Sequence, residues 1–321
     1  MHTALKIVLG FSCTMSFSVA MAQNSWPSQP IKVVVAYPAG AMGDTVMRLL
    51  SDDLSKQLGQ PVIVDNRGGA GGNIGTSAVV HSRPDGYTFL LAAANNYSIN
   101  QYIYKNTGFN VQKDLVPVSA LVNVPAVLFA SSALPAKTYA EFAQYAKQHP
   151  GKVNYGSPGS GTPPHLASEL LNEQAGLGLV HVPYKGSSFT VTAILGNEIQ
   201  VMLAGAGVGL PHVKAGKLKA LAVATEQRMV ELPDVPTFAE LGLNNLHAST
   251  WWGMAAPKGT AQEVIDKLNQ ALEQSLSKPE LRKRLLEMGA IPIGGKPSVM
   301  QAMVEQDNAF WQLKLKTLKI N

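Results

Sequence analysis

Two stretches of the sequence combine small residues, hydroxyl side chains and a helix start in a way that could hold an anion. They are Pro38-Ala39-Gly40-Ala41-Met42-Gly43-Asp44-Thr45 and Gly156-Ser157-Pro158-Gly159-Ser160-Gly161-Thr162. Each falls where an extended apolar run gives way to a helical pattern, and at such corners the free backbone N–H groups of the next helix can bind a carboxylate. Ser157, Ser160 and Thr162 add hydroxyl donors, so no buried cation is needed. The same residues also make a tight turn and a cap. Asp44 favours that plainer reading, because a capping carboxylate competes with a bound anion unless it points away. His165, on the first turn after Thr162, is placed either to reach an anion or to buttress the loop. Asn95-Asn96-Tyr97-Ser98 and Tyr184-Lys185-Gly186-Ser187 each end a strand pattern, which sets amides and hydroxyls along one cleft edge. Both also suit an ordinary loop, and Lys185 belongs in solvent. In Trp251-Trp252, neighbouring strand residues face opposite ways, so one ring can line a pocket while the other fills the core.

Other chemistries lack their residues. The glycines around Ser157 and Ser160 do not fit G-x-S-x-G, so a nucleophile elbow is missing. The seven histidines form no H-x-x-x-H pair and do not cluster with acids, which argues against a metal site. Arg67-Gly68-Gly69-Ala70-Gly71-Gly72-Asn73 has neither dinucleotide nor Walker A spacing and reads as a packed turn. No cofactor is expected. Charge is 26 basic against 21 acidic side chains, spread without basic runs, so a footprint for nucleic acid is missing.

These corners need a framework, and the chain is long enough to supply one. Its 321 residues, 46% apolar with 29 glycines, make roughly two domains of close-packed α/β layers. Residues 1–22 read as a secretory leader: Lys6, an apolar stretch from Ile7 to Ala20, then Ala20-Met21-Ala22, with cleavage expected after Ala22 and a mature chain from Gln23. The apolar stretch is shorter than the roughly 20 residues of a membrane span. The single cysteine, Cys13, lies in the leader, so no disulfide, zinc-thiolate site or cysteine nucleophile is expected after export.

Ile31–Tyr37, Pro61–Asp65 and Tyr87–Ala93 read as strands with helices between them, from Val46 to Leu58 and from Gly72 to His81: a βαβαβ unit of a parallel sheet. Pro117–Ser131, extended and containing Pro125, looks like a passage between two bodies. The second set has a helix capped at Thr138, strands at Val153–Gly156, Leu179–Tyr184, Ile199–Leu203 and Leu218–Thr225, and helices after Thr162 and near Phe189–Leu195. Ala248–Ala256 is a return crossing. Only helices are predicted beyond it, opened at Thr260-x-x-Glu263, Lys278 and Ser298-x-x-Gln301.

Taken in order, these segments resemble one family. The match runs through Tyr37-Pro38-Ala39-Gly40 with Asp44 and Arg48, Asn66 to Gly75, Pro84-Asp85-Gly86-Tyr87-Thr88, Gly156-Ser157 to Gly161-Thr162 with His165-Leu166, Val182-Pro183-Tyr184-Lys185-Gly186, Pro211 to Leu218, Leu232 to Thr237 and Trp252-Gly253. It covers nearly the whole mature chain. The family is that of the periplasmic solute-binding receptors of tripartite tricarboxylate transporters, often called Bug proteins.

The resemblance implies an α/β type II periplasmic-binding-protein fold, two lobes joined by crossing strands and closing on a small carboxylate. Lobe 1 is expected at 23–122 and 251–321, and lobe 2 at 123–250. Carried onto this chain, the ligand-binding positions are Tyr37, Pro38, Ala39, Gly40, Ala41, Met42, Asp44 and Thr45 in lobe 1, with Asn95 and Asn96 beside them. In lobe 2 they are Ser157, Ser160, Thr162, His165, Tyr184 and Ala204, and Trp251 lies on the return crossing. Ala41 and Met42 stand where the family's loop usually runs on in glycine, which implies a narrower or more apolar pocket. Ala204 stands where many members carry aspartate, which favours a plain or aromatic carboxylate over an amino acid. The implied setting is the periplasm, the implied partners are membrane permease subunits, and a monomer is expected. An exported hydrolase using the same cleft, or a sensory receptor without its own transporter, remains open on the residues alone.

Overall fold

A computed structural model of the chain describes residues 26–246 and 248–318; the expected leader and its cleavage site lie outside the described residues. The chain opens as β1 (Ile31–Val35), α1 (Met42–Leu58), β2 (Val62–Asn66), α2 (Asn73–Val80) and β3 (Thr88–Ala93). Three short helices follow, α3 (Ala94–Ser98), α4 (Asn100–Ile103) and α5 (Val111–Asp114), before β4 (Leu115–Val124). The next body holds β5 (Ala126–Ser131), α6 (Tyr139–Gln148), β6 (Asn154–Ser157), α7 (Pro163–Ala175) and β7 (Val180–Pro183). It continues with α8 (Ser187–Leu195), β8 (Val201–Gly205), α9 (Ala206–Lys214) and β9 (Leu218–Val223). The chain then returns through β10 (Thr250–Pro257) to α10 (Gln262–Ser277), α11 (Pro279–Glu287), β11 (Ile291–Pro292) and α12 (Pro297–Lys314).

The strands form two sheets, in the orders β11-β4-β10-β3-β1-β2 and β7-β6-β8-β5-β9. Within the first, β1 is parallel to β2 and β3, while β10 runs antiparallel to β3 and β4. In the second, β6 is parallel to β7 and β8, and β5 is antiparallel to β8 and β9. The long extended run of the sequence is therefore two strands in two sheets. Pro125 lies between them, where a residue without an N–H costs no ladder bond.

Helices cover both faces of each sheet, which explains why β1, β3 and β5 are almost uninterrupted apolar runs. On one face of the first sheet, α1 buries Val46, Met47, Leu50, Leu54 and Leu58 with Leu268 and Leu272 of α10. These residues recur at helical spacing, and α1 stops at Gly59 in the left-handed conformation, whose N–H bonds Ser55 O at 3.0 Å. The opposite face carries Tyr97, Trp251, Met300 and Val304. In the second body one core gathers Phe142, Tyr155, Leu166, Leu170 and Phe238, and the other Phe129, Ile194, Ile199 and Met202. Ile99 from α3–α4 and Trp311 from α12 also join that first core, so these two segments reach from one body into the other.

Some expected details differ. Asn95 to Ser98 is a helical turn, and β11 adds a strand to the C-terminal helices. Thr260 does not cap α10; its hydroxyl bonds Pro257 O at 2.9 Å and the N-cap is one residue later, Ala261. Ser298 lies inside α12, which starts at Pro297, the position where a missing N–H costs nothing. At Thr138 the expected cap forms, Oγ1 accepting the Glu141 N–H at 3.2 Å.

Candidate functional site

The first corner leaves the N-terminus of α1 open. Ala41 is its N-cap and offers no side-chain acceptor, and the first amide with a helical partner is that of Thr45, on Ala41 O at 3.0 Å. The N–H groups of Met42, Gly43 and Asp44 precede it and have no acceptor within the helix. Asp44 does not compete for them. One carboxylate oxygen accepts the Gly40 N–H at 2.8 Å and the other accepts Arg48 Nε at 2.8 Å. Arg48 goes on to Asn66 Oδ1 at 3.1 Å, and Asn66 Nδ2 returns to Tyr37 O at 3.1 Å. The buried Asp44 thus closes a ring that fixes the loop. Pro38, Ala39, Gly40 and Thr45 are exposed, while Ala41 and Met42 are half-buried.

Behind this corner stands Trp252. Its ring packs on Gly43 so closely that a β-carbon there would lie 2.4 Å from Cζ3, and it meets Tyr37 edge-on with centroids 4.9 Å apart. Trp251 faces the other way, stacked on Tyr97 at 5.4 Å with Nε1 donating to Asp307 Oδ2 at 2.8 Å. The alternation expected of the two rings holds, but the ring beside the corner is Trp252.

Asn95 and Asn96 are buried, and their amides are committed within the protein. Together with Asn100 they donate to the Gly71 carbonyl at 3.0, 3.1 and 3.0 Å, and their own oxygens lie 2.9 and 3.0 Å from the Tyr37 hydroxyl. Burial pushes that hydroxyl well above the ordinary tyrosine range, so it stays a proton donor. The cluster ties the Arg67–Asn73 turn to α3. From there α4 spans to the second corner: the Tyr104 hydroxyl abuts Gly71, and Ile103 stands 3.1 Å from where a β-carbon of Gly161 would lie.

The second corner is bound up in itself. Ser157 is fully buried; its Oγ lies 2.7 Å from His181 Nε2, and it accepts the Gly159 N–H at 3.2 Å. Thr162 Oγ1 donates to Gly159 O at 2.7 Å instead of capping α7. The Gly161 N–H donates to His165 Nδ1 at 2.9 Å, so His165 buttresses the loop. Because α7 begins Pro163-Pro164, its first two positions carry no N–H, and the expected row of helix amides is absent here. Ser160 is the exposed hydroxyl of this loop.

Under the loop lies a stack that sequence reasoning missed. His165 and His181 are parallel at 3.9 Å between centroids, and Tyr155 lies 4.9 Å from His181, its hydroxyl donating to Glu169. Burial, followed by the neighbouring His181, lowers His165 to about 4, and burial lowers His181 to about 4. Both rings are neutral at pH 7. Burial, then Glu169, raises the Tyr155 hydroxyl far above its ordinary value. The signal was latent: Tyr155 and Ser157 share one face of β6, but only the parallel register that sets Tyr155 opposite His181 brings the rings together.

Of the remaining expected residues, Tyr184 adjoins the second loop through its backbone, its N–H donating to Ser157 O at 2.9 Å. The Tyr184 hydroxyl is taken up by Glu198, and burial raises it. Ala204, the penultimate residue of β8, lies opposite Val127 and packs, half-buried, against the core beneath α8 and α9. A cavity of about 390 Å³ opens between Asn123, Thr225, Phe238, Ser249, Trp251 and Asp307, on the β9 side of β5, whereas β6 and β7 lie on the other side. Of the expected site residues only Trp251 lines it.

This arrangement of two α/β bodies and two loop corners has known counterparts. The family model described as "Tripartite tricarboxylate transporter family receptor" matches residues 46–316. The chain belongs to that receptor family. Protein BugT of Bordetella pertussis is 33% identical over 311 residues, 96% of this chain and 95% of that one. Among solved structures, the R. palustris protein Rpa4515 with adipate is 32% identical at a TM-score of 0.85, covering 91% of this chain and 98% of that one. MatC (Rpa3494) from Rhodopseudomonas palustris with bound malate is 30% identical at a TM-score of 0.81, covering 89% and 98%. Receptors of this family are periplasmic, which agrees with the expected export.

Proposed function

We propose that this receptor captures a small organic carboxylate between its two bodies and hands it, chemically unchanged, to membrane permease subunits. The observation that carries the reading is the open N-terminus of α1: three amides without helical acceptors, at the positive end of a 17-residue helix, with the one nearby carboxylate, Asp44, already engaged by Gly40 and Arg48. Adipate and malate in the related structures are of the same chemical class. Ser160 supplies a donor from the second body, on a loop against which Ile103 of α4 packs, while Tyr104 just past α4 abuts the Gly71 turn of the first body. The chain runs between the bodies at Pro125 and again between β9 and β10, and these crossings are the hinge about which ligand binding shifts the population toward a closed form. With Ala204 near the end of β8 in place of an acid, the ligand carries no ammonium group that needs an acidic partner there. Cleavage of the leader after Ala22 gives the working chain.

A hydrolytic reading has one observation in its favour, the 2.7 Å approach of Ser157 Oγ to His181 Nε2. Against it, Ser157 is 0% exposed and its hydroxyl is engaged by Gly159 as well, so no substrate carbonyl reaches it. Protein purified under mild conditions and analysed by mass spectrometry is expected to carry a small di- or monocarboxylate, recovered intact after prolonged incubation. Recovery of a hydrolysed acid, or of an amine ligand with no carboxylate, would overturn the proposal.

A further inference from the structure

The loop that carries Ser160 has no helix amides to stiffen it, so its shape depends on what lies beneath. Three contacts come from below: the Gly161 N–H on His165 Nδ1 at 2.9 Å, Ser157 Oγ against His181 Nε2 at 2.7 Å, and the 3.9 Å stack of the two rings. The first of these fixes a protonation state. An imidazole nitrogen that accepts an N–H bond carries no hydrogen, so the His165 proton is on Nε2. A second proton would go to Nδ1 and set two N–H groups facing each other across 2.9 Å. The other nitrogen does little, since Nε2 is buried without a hydrogen-bond partner and its closest acid, Glu169, is 3.8 Å away.

We propose that His165 is the positioning residue of the second-body corner: held neutral between Gly161 and the ring of His181, it fixes the Ser157–Thr162 loop so that Ser160 meets the ligand, and a proton on Nδ1 releases that loop. The inference rests on the receptor reading above and adds to it a residue that acts without touching the ligand. The groups facing the ring are Glu169 from its own helix, Tyr155 from β6 and His181 from β7; α4 brings the aliphatic Ile103 against the loop. The Glu169 carboxylate attracts a proton to the ring, but complete burial and the stacked imidazole oppose it, and the ring stays neutral at pH 7 with a value near 4.

Two measurements test this. Nitrogen-15 NMR of the histidines in the ligand-free protein is expected to find His165 as the Nε2–H tautomer at pH 7, with its titration and the Gly161 amide shift moving together below about pH 5. A proton on Nδ1 at pH 7, or titration near the ordinary histidine value, would overturn the assignment whether or not any acid binds. For affinity, calorimetry with adipate and malate compares His165→Asn, whose Oδ1 replaces Nδ1 as a non-titrating acceptor, with His165→Phe, which keeps a ring and lacks the acceptor. Losing a buried N–H acceptor costs about 1–3 kcal/mol, so His165→Phe is expected to bind about 5- to 150-fold more weakly, and His165→Asn within about threefold of the parent. Between pH 6 and 4 the Asn variant is also expected to lose less affinity than the parent, the protonation of the acid itself being common to both. Equal binding by His165→Phe and the parent, or superimposable pH profiles for His165→Asn and the parent, would refute the role. Failure of the parent to bind any carboxylate would instead count against the receptor reading.

Discussion

Replacing Gly43 by alanine asks whether the first corner is as closely fitted as its geometry implies. Inside an exposed helix this change ordinarily stabilises by up to about 1 kcal/mol, since alanine is the better helix former. Here the new methyl would stand 2.4 Å from Cζ3 and 2.7 Å from Cε3 of Trp252, about 1 Å inside the roughly 3.5–4.0 Å of ordinary carbon contact. The ring has little room to retreat: it is 7% exposed and backed by Tyr37 at 4.9 Å. Overpacking of this kind costs about 1–3 kcal/mol, so the sign reverses and the variant is less stable by about 1 kcal/mol, a fall of about 2–4 °C in Tm. Relief comes by tilting the start of α1 away from Trp252, which moves the amides of Met42 to Asp44. A hydrogen bond to a charged group is worth about 1.5–3 kcal/mol, so losing one weakens carboxylate binding about 10- to 150-fold. Thermal unfolding and calorimetry with the tightest-binding acid of a C4–C6 dicarboxylate panel measure both effects. A variant with raised Tm and unchanged affinity would refute the reasoning.

Trp251→Phe keeps a ring stacked on Tyr97 but loses the bond to Asp307, so stability is expected to fall by about 1 kcal/mol while affinity stays within twofold; a tenfold loss of binding would mean that Trp251 lies at the site. Gly207 at the start of α9 meets the backbone of the α11–β11 turn, where a β-carbon would stand 2.0 Å from Met288 O, so Gly207→Ala is expected to cost about 1–3 kcal/mol in chemical denaturation, and an unchanged midpoint would show that the two bodies give way there. The buried, neutral His165 makes stability fall in acid. Between about pH 6.5 and 4 the unfolded chain takes up a proton that the folded one refuses, a loss approaching 3 kcal/mol, and His165→Asn is expected to flatten that part of the stability–pH curve.

The strand and helix pattern was legible because most elements obey a single period. Val46, Leu50, Leu54 and Leu58 mark one face of α1, and the apolar runs of β1, β3 and β5 read as strands covered on both faces. The corners were legible as small residues at strand ends. Which donors they keep free was not, because that depends on partners distant in sequence. Asn95 and Asn96 looked like ligand amides but are spent on the Gly71 carbonyl, 24 and 25 residues away. His181 carried no local mark, since only the β6–β7 register sets it over His165. One feature was open to sequence reasoning and overlooked: two successive prolines at the start of α7 remove the amides a helix N-terminus would offer.

A crystal structure with a bound dicarboxylate tests the central claim most directly. One carboxylate group is expected within about 3 Å of the amides of Met42, Gly43 and Asp44, with Ser160 closing on the ligand from the other body. An acid bound instead in the cavity beside Trp251, with those amides facing only water, would contradict it.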